Sequence, residues 1–565
     1  RSLAALPRVL DAGVVMGTEA NQEILAQTGL VTPESRAAAA DDLVIVVKAE
    51  TEVEADAALG QVDELLTARR GGLEQDYCPR SLEPAVEMSP DAHWVLVSVP
   101  GRYAAGVARQ ALRLGKNVFL YSDNVSLDDE ISLKQSAAES GLLVMGPDCG
   151  TAMINGVGLG FANQVRRGPI GLVAASGTGL QQVSARIHQL GSGITHALGT
   201  GGRDLSEEVG AVTARQGLDL LVRDPQTTVI ALISKPPSPH VAGALLDIAR
   251  SSGKPVVVDF VGYSPANRES GHVHFANTFD EVAELAVGLA EEEGGRNTED
   301  PMGLVSPKTA ADEPVQVVGP ERFLPGQRYL RGLFSGGTLA YEALLLLEDY
   351  VPEVYSNVPL KKDLGLANPL VSHEHTIVDL GEDEFTVGRL HPMMDHDLRI
   401  RRLRQEAEDP EVAVVMLDVV LGYGAHPNPA AELAPAIVQA RSTASAAGRY
   451  LDVVAVVVGT DEDPQDMELQ IKQLEAAGAW VDTSNDAAVR YVGRLVQALA
   501  PKPTIVDPKS VDLAMLHQPL SAINVGLESF AESLQSQGAP VIQVDWRPPA
   551  GGNEKLIAIL ERMRG

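Results

Sequence analysis

Short apolar runs of strand length alternate with helix-spaced segments along nearly the whole chain, and this alternation fixes the class of fold. The runs LVIVV (43–47), WVLVSV (94–99), NVFLYS (117–122) and GLLVMG (141–146) are rich in β-branched and aromatic residues. Between them lie stretches such as RYAAGVARQALRLG, whose alanines and leucines recur at helical spacing. Strands that are apolar throughout and separated by helices belong to a parallel sheet covered on both faces. The expected class is α/β.

The same alternation then occurs twice more, in matching order. IGLVAAS, THALGTGG, TVIALIS and PVVVDFV are the strands of a unit over about 165–290. LVRDPQTTVIALISKP (221–236) finds its counterpart in RQEAEDPEVAVVMLDVV (404–420), and SSGKPVVVDFVG (251–262) in SAAGRYLDVVAVVVG (445–459). A repeat of this size is one domain duplicated. Residues 291–325 lose periodicity and are rich in Pro, Gly and charge, so they are expected to link the copies. The second copy covers 326–505, and 506–565 form a tail with one further strand, VIQVDW, and a closing helix.

Each copy joins a strand to a helix through a turn of small residues: GLVAASGTGLQQV in the first and GLFSGGTLAYEALLLL in the second. Such a turn leaves backbone N–H groups unpaired at a helix N-terminus, where the helix dipole adds about half a positive charge. Glycines admit an anion to the backbone and hydroxyls add donors, which makes a phosphate or carboxylate cradle. The candidate binding residues are Ser176, Gly177, Thr178 and Gly179 in the first turn and Ser335, Gly336, Gly337 and Thr338 in the second. If the copies pair about a pseudo-twofold axis, both helix ends face one anion. GTGGRDL adds Gly201, Gly202 and Arg203, and MGPDCGTAMING adds Asp148, Thr151 and Asn155.

Composition removes several classes of function. A formal net charge of −31 repels phosphate backbones and anionic lipid, so neither nucleic acid nor membrane is an expected partner, although a small anion at a local positive site is allowed. Two cysteines, Cys78 and Cys149, in 565 residues make no disulfide framework, and a cytoplasmic location is expected. The chain opens on Arg1 instead of methionine, which leaves open whether the natural start is included. The histidines of HEH (373–375), HPMMDHD (391–397) and GHVHF (271–275) lack zinc spacing, so no metal is expected. Neither a P-loop nor a nucleophile elbow occurs.

The stretches SVPGRYAA, LYSDNVSLDDEISLKQ, VMGPDCGTAMING, GLVAASGTGLQQV and ALGTGGRDLSEEVG, with INVGLE and VDWRPPAGGN near the C-terminus, together resemble the FdrA family. That family is similar in architecture to succinyl-CoA synthetase and other NDP-forming acyl-CoA synthetases. The resemblance implies a Rossmann-like, CoA-binding-type domain over 1–148 followed by two flavodoxin-like, ligase-type domains. It implies a role as the large subunit of a carbamoyltransferase that interconverts oxalurate plus phosphate with oxamate plus carbamoyl phosphate, in allantoin breakdown and with partner subunits in an oligomer. Arg203 and Glu342 are then the catalytic candidates, with phosphate or carbamoyl phosphate as substrate. The alternative is an acyl-CoA synthetase. It would use His272 as a phosphohistidine, CoA near MGTEANQE (16–23), and a nucleotide on a partner subunit.

Overall fold

The computed structural model of the protein describes residues 3, 6–40, 42–62, 64, 79–263, 265, 267–293, 318–500, 514–525 and 527–545. The expected helix at the C-terminal end, most of the 291–325 linker and Cys78 lie outside them.

The N-terminal part holds two separate sheets in place of the single Rossmann-like sheet expected over 1–148. β1 (Val9–Met16) pairs antiparallel with β2 (Leu43–Ala49). The reason lies in β2 itself: Val44 and Val46 are buried while Leu43 is exposed, so only one face is covered, as in an antiparallel ribbon. Further along the chain β3 (Trp94–Val97), β4 (Asn117–Leu120) and β5 (Val144–Met145) form a parallel sheet in that order, flanked by the helices Gly101–Arg113 and Leu127–Glu139. The β1–β2 ribbon is tied to the last large unit, where Asp11 accepts two hydrogen bonds from the Arg401 guanidinium, at 2.8 and 2.9 Å.

The first copy continues from β6 (Thr151–Ile154) and β7 (Val157–Gly160) through β8 (Arg167–Ala175), β9 (Ile194–Gly199), β10 (Val229–Ser234), β11 (Val256–Phe260), β12 (Glu269–Ser270) and β13 (Val273–Phe275). These eight strands lie in the order β12-β13-β11-β10-β8-β9-β6-β7. The run β9-β8-β10-β11-β13 is parallel throughout, which is the flavodoxin-like arrangement. The second copy has β14 (Tyr329–Phe334), β15 (Tyr355–Ser356), β16 (Thr376–Asp379), β17 (Val412–Val420), β18 (Asp452–Val458) and β19 (Trp480–Asp482) in the order β15-β16-β14-β17-β18-β19. Strand for strand, β8, β10 and β11 correspond to β14, β17 and β18, as the sequence repeat requires.

Four helices fill the space between these two sheets: Gly177–Gln189, Phe279–Glu293, Gly337–Leu347 and Asn485–Leu499. Val183 and Ile187 of the first, Ala283 and Ala286 of the second, Leu339 and Ala343 of the third and Val489 and Val492 of the fourth belong to one apolar core. The duplication thus buries the helix faces of each copy against the other. A separate C-terminal unit over 501–565 contains β20 (Ala522–Val525) and β21 (Val541–Val544), a parallel pair joined through the helix Glu528–Ser536.

Leu339 is fully buried in the four-helix layer. Leu339→Ala is expected to cost about 2–5 kcal/mol, read as a lower urea midpoint. The same change at exposed Leu469 is expected to stay within about 0.5 kcal/mol.

Candidate functional site

The two small-residue turns meet. Each lies at the C-terminal end of the first strand of its copy, β8 or β14, where doubly wound sheets place their ligand crevices. Ser176 caps its own helix, its Oγ accepting from Gly179 N at 3.0 Å and donating to Thr338 Oγ1 at 2.8 Å. Thr338 N in turn donates to Thr178 Oγ1 at 3.3 Å. Gly336 makes the approach feasible, because a Cβ there would stand 2.7 Å from Thr178 Cγ2.

The two turns are not equivalent. In the second, Asp418 at the end of β17 accepts from Ser335 N (2.7 Å), Ser335 Oγ (2.9 Å) and Gly336 N (2.8 Å). Arg399 balances this fully buried carboxylate, with Nη1 3.1 Å from Oδ1 and a further bond to the Asp418 carbonyl. The second turn therefore carries an anion of its own. In the first copy the sheet register pairs Ala175 with Ser234, so a serine stands where the second copy has Asp418. Among the described residues, Gly177 N and Thr178 N, the first donors of this helix, make no hydrogen bond to a carboxylate. Beside them Thr151 is 1% exposed and its Oγ1 has no hydrogen-bond partner, and a Cβ on Gly177 would lie 3.8 Å from that oxygen.

Carboxyls surround this opening. Asp148 keeps an exposed side chain, yet crowding by the surrounding protein and then the charges of Asp123, Asp383 and Glu382 raise it from the usual carboxylate range. Asp379 is also pushed up, by burial first and Glu382 next, and its Oδ2 would stand 2.3 Å from a Cβ on Gly337. Near neutral pH such carboxyls hold protons and can donate to an oxyanion. Gly201, at φ +86°, packs the 199–203 loop onto this wall, since a Cβ would meet Pro147 O at 2.3 Å, and Gly202 lies next to the Asp148 carboxylate. His391 Nε2 comes within 3.1 Å of a Cβ on Gly381, in the loop after β16. Burial, followed by the charge of Arg399, pushes this imidazole down to about 4, so it is neutral at pH 7.

Four of the sequence candidates lie elsewhere or do other work. Arg203 donates through Nε to Glu130 (2.9 Å) and through Nη2 to Val125 O (2.8 Å), completing a buried network in which Lys134 bridges Glu130 and Asp204. Glu342 is 2% exposed and both oxygens are committed, one to Phe279 N (2.9 Å) and one to Asn485 Nδ2 (2.7 Å), so it caps the helix Phe279–Glu293 from inside the core. Asn155 turns the β6–β7 hairpin at φ +53°, its N donating to His196 Nδ1. β6 runs antiparallel to β9, which carries Asn155 away from Thr151 and the turns. His272 is exposed just before β13, and its carbonyl accepts from Val256 N at the start of β11. It thus sits at the opposite edge of the sheet from Ser176. The sequence singled out Asp148 and Thr151 only among the polar groups of one loop, while Asp418 was hidden in a run read as plain strand.

Residues 16–23, the end of β1 and the start of the helix Glu19–Gln27, are occupied in holding the chain together. Asn21 Nδ2 donates to Met16 O (3.0 Å) and Val387 O (3.3 Å), and a Cβ on Gly17 would meet Ala39 O at 2.3 Å. His396, His426 and Glu432 bring ligand-type atoms within 4.8 Å of one another, a cluster no sequence spacing signalled. His426 Nδ1 accepts from Asn428 N at 3.1 Å, which leaves the ring proton on Nε2, 3.2 Å from Glu432 Oε1.

Residues 333–495 match the CoA-ligase family model, 166–262 the CoA binding domain model, and 1–77 a model described as AllF, heavy metal-associated domain. YahF of Escherichia coli K12 is 42% identical over 484 residues, which are 85% of this chain and 92% of YahF. The α subunit of the ADP-forming succinate–CoA ligase of Aquifex aeolicus is 26% identical over 37% of this chain and 69% of its own. The malate–CoA ligase α subunit of Methylorubrum extorquens is 27% identical over 39% and 77%. A dinucleotide-forming acetyl-coenzyme A synthetase of Candidatus Korarchaeum cryptofilum aligns over 76% of this chain and 87% of its own, at 15% identity and TM-score 0.32. The chain belongs to the family of YahF, and its domains are of the succinyl-CoA synthetase-like type.

Asp418→Ala would strand Arg399 and the Ser335 and Gly336 N–H groups, and is expected to cost about 3–5 kcal/mol in chemical denaturation. Sulfate keeps its charge across neutral pH, so its affinity isolates the protein's titration. With Asp379 and Asp148 both raised, sulfate is expected to bind more tightly at pH 6 than at pH 8 in calorimetry, and Asp148→Asn to reduce that difference, Asp379 supplying the rest.

Proposed function

We propose that this member of the YahF family is the oxyanion-binding subunit of an enzyme of the NDP-forming acyl-CoA synthetase type, and that its paired turns hold the phosphate of an acyl phosphate. One observation carries the reading: open helix N–H donors at Gly177 and Thr178 beside the buried, unpartnered Thr151 hydroxyl, in a crevice closed by the second turn. When a thiolate attacks the carbonyl carbon of an acyl phosphate, a C–S bond forms, the C–O bond to phosphate breaks, and phosphate departs with the electron pair. Donors fixed at the helix end stabilise the charge that grows on that oxygen, without reorganising. CoA is the implied acceptor, and the nucleotide is assigned to a partner subunit.

A second reading rests on the place of His272. That histidine lies at the far end of the strands from the turns, which supports a route with no covalent histidine. Carbamoyl phosphate is itself an anhydride of a carboxyl group and phosphate, and fits the same donors. Oxamate as acceptor would give oxalurate and phosphate with no covalent protein intermediate, which also suits the AllF-type segment.

Competition calorimetry against phosphate, with acetyl phosphate and carbamoyl phosphate as probes, tests both. Phosphate release with CoA or with oxamate then separates them. Thr151→Val is expected to weaken the bound acyl phosphate about tenfold, roughly 1.4 kcal/mol, the worth of one hydrogen bond to an anion. If neither probe competes with phosphate, both readings fall.

A further inference from the structure

We infer that each chain holds a single oxyanion, set toward the first turn, with Lys235 as its countercharge, while Asp418 permanently fills the second turn. The inference rests on the acyl phosphate reading and names the residue that would carry the anion's charge.

The argument begins with the register. Ala175, the residue before Ser176, pairs with Ser234 on β10, so Lys235 follows directly beside the first turn at the same sheet edge. In the second copy Leu333 pairs with Leu417, which sets Asp418 beside the residue before Ser335. The copies therefore differ at one structural position and the next: Asp418-Val419 in one, Ser234-Lys235 in the other. An anion is built into one helix end, and a cation stands at the other.

Lys235 is also unspent. Among the described residues its ammonium makes no ion pair or hydrogen bond, although Asp148 and Asp379 are close enough to feel its charge. Its Nζ lies 6.0 Å from the ring centre of Tyr341, on the helix that the second turn begins, so it stands between the two copies. The other nearby cations are committed: Arg203 to Glu130 and Arg399 to Asp418. Ser234 does not fill the gap, because its Oγ donates to Lys235 O at 2.6 Å. An unpaired lysine beside open helix donors and an orphaned buried hydroxyl is a positive subsite for one phosphate-sized dianion.

The test is sulfate binding to the full chain by titration calorimetry, with thermal melting of each variant as the control for folding. The expected result is one sulfate per chain, at least tenfold weaker binding for Lys235→Ala, affinity within about threefold of wild type for Lys235→Arg, and unchanged melting. Wild-type binding that Lys235→Ala leaves intact, or two equivalents per chain, overturns this inference and leaves the acyl phosphate reading standing. Absence of binding by both sulfate and acetyl phosphate overturns that reading, and this inference with it.

Discussion

The contact between two glycine-bearing turns organises everything else in this molecule. Ser176 and Thr338 share a hydrogen bond across the copies, and Gly336 lets the Thr178 methyl approach to van der Waals distance. Two helix N-termini, each with a partial positive charge, would repel at such range. The chain answers with a buried carboxylate at one of them. Asp418 satisfies three donors of the second turn and is balanced by Arg399, so one positive end is neutralised from within, and the proposed oxyanion takes the other.

The packing beneath follows from the same requirement. Four helices from the two copies share one core, so the distance between the turns is set by apolar side chains that cannot slide past each other. Glu342, although on the helix that follows the second turn, belongs to this scaffold: it ties Phe279 N to Asn485 and so joins three of the four helices. Arg203 does the same on the other side, joining the 199–203 loop to the helix Leu127–Glu139. Charged residues close to a functional crevice here serve to hold its walls, which is why residue type alone misassigned them.

Much of this was legible in the sequence. The duplication and the matching strands follow from period, order and small-residue punctuation, while the convergence of the two turns was expected only if the copies pair, as the Ser176–Thr338 contact shows they do. The split of the N-terminal part was harder to see, because LVIVV reads the same whether one face or both are buried, and only its antiparallel partner decides. That His272 stands at the other end of the strands from Ser176 follows from the β12–β13 hairpin that turns just before β13, which the sequence does not reveal. Asp418 was legible in principle, since a lone carboxylate in VAVVMLDVV must find a partner once buried. Its counterpart Ser234 then marks the copy that lacks one. Residues 16–23 resemble a CoA-binding turn in the alternative reading, but Asn21 and Gln22 there donate to neighbouring backbone carbonyls.

The asymmetry of the crevice can be seen directly by crystallography of the full chain with sulfate. The expected density is a single tetrahedral ion within about 3 Å of Gly177 N and Thr178 N, with Asp418 still seated on Ser335 and Gly336. Sulfate displacing Asp418 from the second turn, or turns that stand apart with no ion between them, would contradict the central claim.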